Sequence, residues 1–174
     1  MAALVHAVAT PVRTDLHPFI CESHFFDSWQ LVLPATEQQP AMFYLLKMLG
    51  NSPAWVDSLM TLRNKAVQLV GLKDLSVMSA ISLEKAPSDY QIGDRVGIFT
   101  LISQTPSEVI VGDNDKHLEV RISFLKEMKN EQMVLTITTA VKNHNWLGRC
   151  YMWFVKPFHR VIAPATLKRL ILTS

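Results

Sequence analysis

The last third of the chain alternates apolar and polar residues in steps of two, then changes to a helical period, and that change constrains the fold most. In the run from His117 to Leu125, Leu118, Val120, Ile122 and Phe124 alternate with Glu119, Arg121 and Ser123, as in a strand with one face on a core. Met133 to Val141 is a second run, rich in β-branched residues and threonine. Both precede a stretch from Trp146 to Leu172 whose apolar residues recur at helical spacing. Runs separated by brief turns imply antiparallel hairpins, because parallel neighbours need long crossovers. The expected class is α+β: a curved antiparallel sheet wrapped around a long C-terminal helix, with room for a pocket between them.

Earlier segments fill in this plan. Residues 1–26 have no sustained period and contain Pro11 and Pro18, which predicts an irregular arm, with residues 27–174 as a single domain. Trp29 to Leu33 suits a first strand closed by Pro34. Ala41 to Leu49 suits a short helix that Pro40 introduces and Gly50 stops. Ser52 and Pro53 start a second helix of about five turns that ends at Gly71. Val77 to Ser82 is a weak strand candidate, and Val96 to Ile102 a stronger one. Val109 to Val111 is short and leads into Gly112-Asp113-Asn114-Asp115, a composition suited to a tight turn.

Two helices carry the candidate chemistry. On the helix expected over 52–71, Trp55, Leu59, Leu62, Ala66, Leu69 and Val70 share an apolar arc, widened by Val56, Met60 and Val67. Arg63 falls inside it. A guanidinium there requires a partner, since an unpaired buried charge is costly. A structural ion pair or snorkelling to the edge is the plainer expectation, and anion binding in a pocket wall the functional one. On the final helix, Leu147, Tyr151, Phe154, Phe158, Val161, Ile162 and Ala165 form an apolar arc, and Arg149, Lys156 and Arg160 a narrow basic stripe opposite. Pro157 and Pro164 each remove an intrahelical donor, which predicts a bend that lets the helix follow a concave sheet.

Charge is unevenly distributed. The net charge is +2, but no acidic residue follows Glu131, whereas Lys142, Arg149, Lys156, Arg160, Lys168 and Arg169 do. These cations are spaced, which suits a solvated face better than a nucleic-acid patch, and no nucleic-acid-binding module accompanies them. Cys21 and Cys150 are the only cysteines, too few for a stapled secreted framework. The N-terminus lacks a basic leader, and no apolar run is long enough to span a bilayer. A cytoplasmic protein is expected, of undetermined oligomeric state.

The run Leu147-Gly148-Arg149-Cys150-Tyr151 and the following Pro157-Phe158-His159-Arg160 resemble a bacterial family known only as a domain of unknown function, sometimes fused to proteins similar to NAD-dependent epimerases. Leu59-Met60-Thr61-Leu62-Arg63-Asn64, Gly71-Leu72-Lys73, Gly93-Asp94 and Asp113-Asn114-Asp115-Lys116-His117-Leu118 fit the same resemblance, which covers about residues 27–171. More distantly, the family resembles the START-like, helix-grip (SRPBCC) superfamily of lipid-transfer domains and polyketide cyclases. That resemblance implies a sheet gripping the terminal helix, two shorter helices after the first strand, and a cavity between. It carries no catalytic residues over.

The remaining candidates are polar groups near these elements. His117 and Arg121 share one side of their strand, opposite Leu118 and Val120, and are expected to face solvent, or else to line a polar end of the cavity. His159 borders the apolar arc, where a hydrogen-bonded boundary histidine is more common than a proton-transfer group. Tyr151 could offer its hydroxyl to a ligand or pack as an aromatic. The six histidines are scattered, so no metal is expected, and Asp113 and Asp115 lack the downstream residues of a calcium loop. No phosphate-binding glycine loop or nucleophile elbow occurs, so no cofactor is expected and the catalytic residues are unknown.

The leading expectation is a module that binds a hydrophobic or amphipathic small molecule, with Arg63, Tyr151, Phe154, Phe158, His159, His117 and Arg121 as candidate ligand-binding residues. The alternative is a cyclase, dehydratase or isomerase on the same scaffold. Contact of the basic helix and Trp153 with a membrane surface ranks below both.

Overall fold

The computed structural model describes residues 5–34, 38–51, 53, 55–56, 58 and 85–172. Seven antiparallel strands form one curved sheet: β1 (Val5–Ala7), β2 (Phe25–Val32), β3 (Arg95–Val96), β4 (Phe99–Gln104), β5 (Glu108–Asn114), β6 (Leu118–Lys129) and β7 (Gln132–Asn143), in the order β1-β2-β7-β6-β5-β4-β3. Helix α1 (His17–Glu22) precedes β2, α2 (Ala41–Gly50) follows it, and α3 (Trp146–Leu172) closes the chain as one 27-residue element running through Pro157 and Pro164. The α+β architecture with a closing helix agrees with the sequence. Of the expected second helix, Trp55, Val56 and Ser58 are helical. The rest of that helix with Arg63, and the strand expected over residues 77–82, lie outside the described residues.

Alternation sorts the strand residues onto two faces. Leu31, Leu135, Ile137, Phe124, Val109, Val111 and Leu101 project inward onto Leu45, Leu49, Leu167 and Leu170 of α2 and α3, forming the main core. Helix α3 packs over β1, β2 and β7, and α2 over β5 and β6. The first turn of α2 is tied to the β4–β5 loop, where the Ala41 N–H donates to the Pro106 carbonyl at 3.0 Å.

The opposite face is covered as well, which the sequence did not predict. The arm expected to be irregular begins as an edge strand paired with Trp29–Leu31 and returns as α1. Leu16, Phe19 and Ile20 pack on Ile110 and Ala140 in a second, smaller core. A polar row underlies it. The Glu108 carboxylate, only 4% exposed, accepts from the Thr14 hydroxyl and the Ser123 hydroxyl, each at 2.5 Å, and from the Asp15 N–H at 2.9 Å. Further along, Ser28 bonds Thr138 at 2.9 Å, and Gln30 donates to Thr136 at 2.9 Å. A buried carboxylate with three donors is a strong anchor, because the two buried hydroxyls among them lose their main acceptor without it.

Turn chemistry corrects two expectations. The run from Val96 to Ile102 is a hairpin, broken by Gly97 at φ 60° between the paired residues Val96 and Phe99. Gly112 to Asn114 is strand, and the turn begins one residue later. There the Asp115 carboxylate accepts the N–H groups of His117 and Leu118 at 2.6 and 3.0 Å. Gly112 is small because the sheet is tight: a Cβ would lie 2.6 Å from the Val120 carbonyl oxygen. Asn130 (φ 49°) and Glu131 (φ 64°) form the two-residue turn joining β6 to β7.

Candidate functional site

Strand β2 brings an acid to the inner face. Phe25, Asp27, Trp29 and Leu31 share that face by alternation, so a carboxylate stands in an otherwise apolar register. It is satisfied by two donors. His159 on α3 approaches with Nε2 3.0 Å from Asp27 Oδ1, and the Trp29 indole N–H donates to Oδ2 at 3.1 Å. Phe25 fixes the ring from the side: its centroid is 5.7 Å from that of His159, nearly perpendicular, and Lys156 Nζ lies 5.3 Å from the Phe25 ring centre. The imidazole, carboxylate and indole thus join α3 to β2.

Beside this group a groove of about 380 Å³ opens where the chain leaves β1 and crosses the unpaired end of β2. Ala7, Val8, Phe26 and Trp29 supply apolar walls, Thr10 and Ser28 supply hydroxyls, and Asp27 and Arg160 supply opposite charges. Thr10 and Ser28 lie 3.1 Å apart, so one hydroxyl is engaged by the other. Arg160 has no carboxylate partner among the described residues, which leaves a cation at the rim for an anionic group. Asp27, Trp29 and Arg160 were not among the candidate ligand-binding residues, although Trp29 opened the expected first strand and Arg160 belonged to the basic stripe. The available signal was the acid at an inward position of β2, and it becomes visible only once the strand is known to begin at Phe25.

Among the described residues, the candidates from sequence do not converge. Helix α3 turns Gly148, Met152, Thr166 and Leu170 inward, whereas Phe154 and Phe158 are 62% and 54% exposed. The middle of the arc expected to face the sheet, Phe154, Phe158 and Val161, therefore points away from it, while Leu147, Tyr151, Ile162 and Ala165 are half-buried, because α3 is apolar on more than one side. His159 is the candidate that meets the sheet. Arg121 is half-buried on the opposite sheet face, paired with Glu119 and stacked over Phe19 at 4.4 Å. Tyr151 is half-buried on α3, and Arg63 lies outside the described residues.

His117, expected at the surface, is 7% exposed. It sits beneath the start of α3, where Asn145 caps the helix by accepting the Gly148 N–H at 3.2 Å. The Asn145 amide donates to the Lys116 carbonyl at 3.0 Å, and His117 Nδ1 lies 3.0 Å from its Nδ2 and 3.2 Å from its Oδ1, so Nδ1 accepts from one or donates to the other. His117 Nε2 is a buried atom without a partner among the described residues. The two motifs around Asp115–Leu118 and Leu147–Tyr151 are thus joined as a helix-start latch at the far end of α3 from Arg160.

Among the described residues, no three His, Cys, Asp or Glu side chains cluster closely enough to hold a metal ion, and no helix is long and apolar enough to cross a membrane. A family model described as "Protein of unknown function (DUF2867)" matches residues 20–166, from within α1 to near the end of α3. No curated protein and no solved structure matches the chain significantly.

Proposed function

The chain belongs to that family of proteins of unknown function, and on this premise we propose that it is a START-like binding module for a small amphipathic molecule with an acidic group. The observation that carries the proposal is the groove between β2 and the segment that follows β1, with Arg160 of α3 at its rim. Its volume lies within the range of small-molecule sites, and its lining combines an apolar wall with a few polar groups that would fix orientation. An apolar body would lie along Val8, Phe26 and Trp29, and a carboxylate or similar group would meet Arg160.

A catalytic use of the same groove draws support from the Asp27–His159 pair, since a carboxylate-oriented imidazole is a common proton-transfer unit. Binding is favoured because Asp27 lines the groove and His159 does not, so the imidazole braces the wall behind it.

Native mass spectrometry of protein purified from its own host, followed by titration with fatty acids and aromatic carboxylic acids, tests the proposal. With Trp55, Trp146 and Trp153 replaced by Phe, Trp29 emission should report saturable binding. Arg160→Glu should weaken that binding about tenfold or more. Protein that carries no molecule and shows no saturable response would refute it.

A further inference from the structure

Among the described residues, the outward surface of α3 takes no part in the core and, apart from Arg160 at its border, none in the groove. At about 100° per residue, the inward direction is set by Gly148, Met152, His159, Thr166 and Leu170. The opposite arc carries Trp146, Trp153, Phe154, Phe158 and Val161, all exposed, with Trp153 at 72%. From Trp146 to Val161 this strip runs about 22 Å along the helix. Trp153 and Phe154 hold each other edge to face at 4.9 Å, so the aromatics form an ordered patch. A helix that buries one side and leaves another equally apolar side in water is expected to have a second apolar contact.

Charge identifies what that contact is. Arg149 and Arg160 lie along one flank of the strip, with the half-buried Lys156 beneath them, and no acidic residue follows Glu131. Leu147, Tyr151, Phe154, Phe158, Val161 and Ala165 are spaced alternately by four and three, which would suit a coiled-coil seam with a second copy. In such a seam, however, Arg149, Lys156 and Arg160 would stand on the far side from the partner helix, so a second copy gives the cations no role. An anionic bilayer answers both features: the indole and phenyl rings enter the boundary between headgroups and chains, and the guanidinium groups meet phosphates.

We propose that the outward face of α3 docks the protein on an anionic lipid surface, with the helix lying in the plane of the interface. The inference stands independently of any ligand in the groove. The helix is anchored to the sheet through Met152, Thr166, Leu170 and the His159–Asp27 bond, so docking needs no rearrangement of the fold.

The test is sedimentation of the full chain with vesicles of phosphatidylglycerol and phosphatidylcholine, beside vesicles of phosphatidylcholine alone. The expected result is co-sedimentation with the anionic vesicles, weakened by high salt, with a blue shift of tryptophan emission. The triple variant W153S/F154S/F158S, whose side chains are exposed, should keep its circular dichroism spectrum and bind the vesicles at least about tenfold more weakly. Arg149→Glu with Arg160→Glu should abolish the preference for anionic lipid. Wild-type protein that stays in the supernatant overturns the proposal, as does a triple variant that binds equally well. A wild-type dimer that the triple variant converts to monomer would also overturn it, since the strip would then be an interface between copies.

Discussion

Gly148 lies directly against the carbonyl group of His117: a Cβ at residue 148 would stand 2.3 Å from that oxygen and 3.2 Å from its carbon. The first turn of α3 therefore rests on the β5–β6 turn, and only glycine allows so close an approach. Both neighbours of the clash are backbone and cannot swing aside. Gly148→Ala is expected to destabilise the protein by about 1–3 kcal/mol. Chemical denaturation measures this, and a midpoint equal to wild type would show that α3 is not seated there.

The arm from Thr10 to Ile20 behaves as part of the fold, because the Glu108 carboxylate holds it through Thr14 and Asp15. Glu108→Ala removes the acceptor of the buried Thr14 and Ser123 hydroxyls and of the part-buried Asp15 N–H, and should cost about 2–3 kcal/mol. Hydrogen exchange should also accelerate across residues 14–20. Ser123→Ala, which removes one donor, should cost about 1 kcal/mol. If the alanine at residue 108 changed neither stability nor exchange in the arm, the clasp would be refuted.

Asp27 joins His159 and Trp29, so Asp27→Ala removes the acceptor of both. A loss of about 1–2 kcal/mol is expected, with a red shift of Trp29 emission as the indole loses its fixed position. Asp27→Asn keeps an acceptor and should retain more of the stability. Equal stability in all three proteins would mean that the group does not hold α3 to β2.

Lys142 holds the Glu22 carboxyl below the ordinary carboxylate range, chiefly through their hydrogen bond and then through its charge. A lowered folded-state pKa means that this contribution is complete above the ordinary value and is lost as the pH falls through the lowered one. Helix α1 should therefore be held at neutral pH and loosen on acidification. Lys142→Ala should exchange faster in α1 already at neutral pH and lack the acid-dependent step assigned to Glu22. Since both groups are accessible to solvent, salt should reduce the difference. A pH profile identical in wild type and variant would remove the assignment.

The β6–β7 turn stores a removable strain. Glu131 adopts φ 64° in the second central position, where glycine is preferred. Glu131→Gly should raise stability by up to about 1 kcal/mol, read as a higher thermal midpoint. A lower midpoint would show that the Glu131 side chain contributes more than its backbone costs.

What the sequence determined by itself is local. The two-residue period of Leu118–Phe124, the β-branched run after Met133 and the helical limits Trp146 and Leu172 each follow from neighbours a few residues apart, and each is found in the structure. So is α2, bounded by Pro40 and Gly50. What only the tertiary structure decided is which surface meets which. Helix α3 is apolar on two sides, so periodicity names an arc without saying where it points, and packing chose the one with Met152 and Leu170. Glycine is equally ambiguous: at residue 97 it permits a turn, whereas at residues 112 and 148 it admits a neighbouring backbone. The pairing of Asp27 with His159, 132 residues apart, and the clasp of Glu108 on Thr14 required the folded sheet, because contacts between distant segments leave no period in the chain.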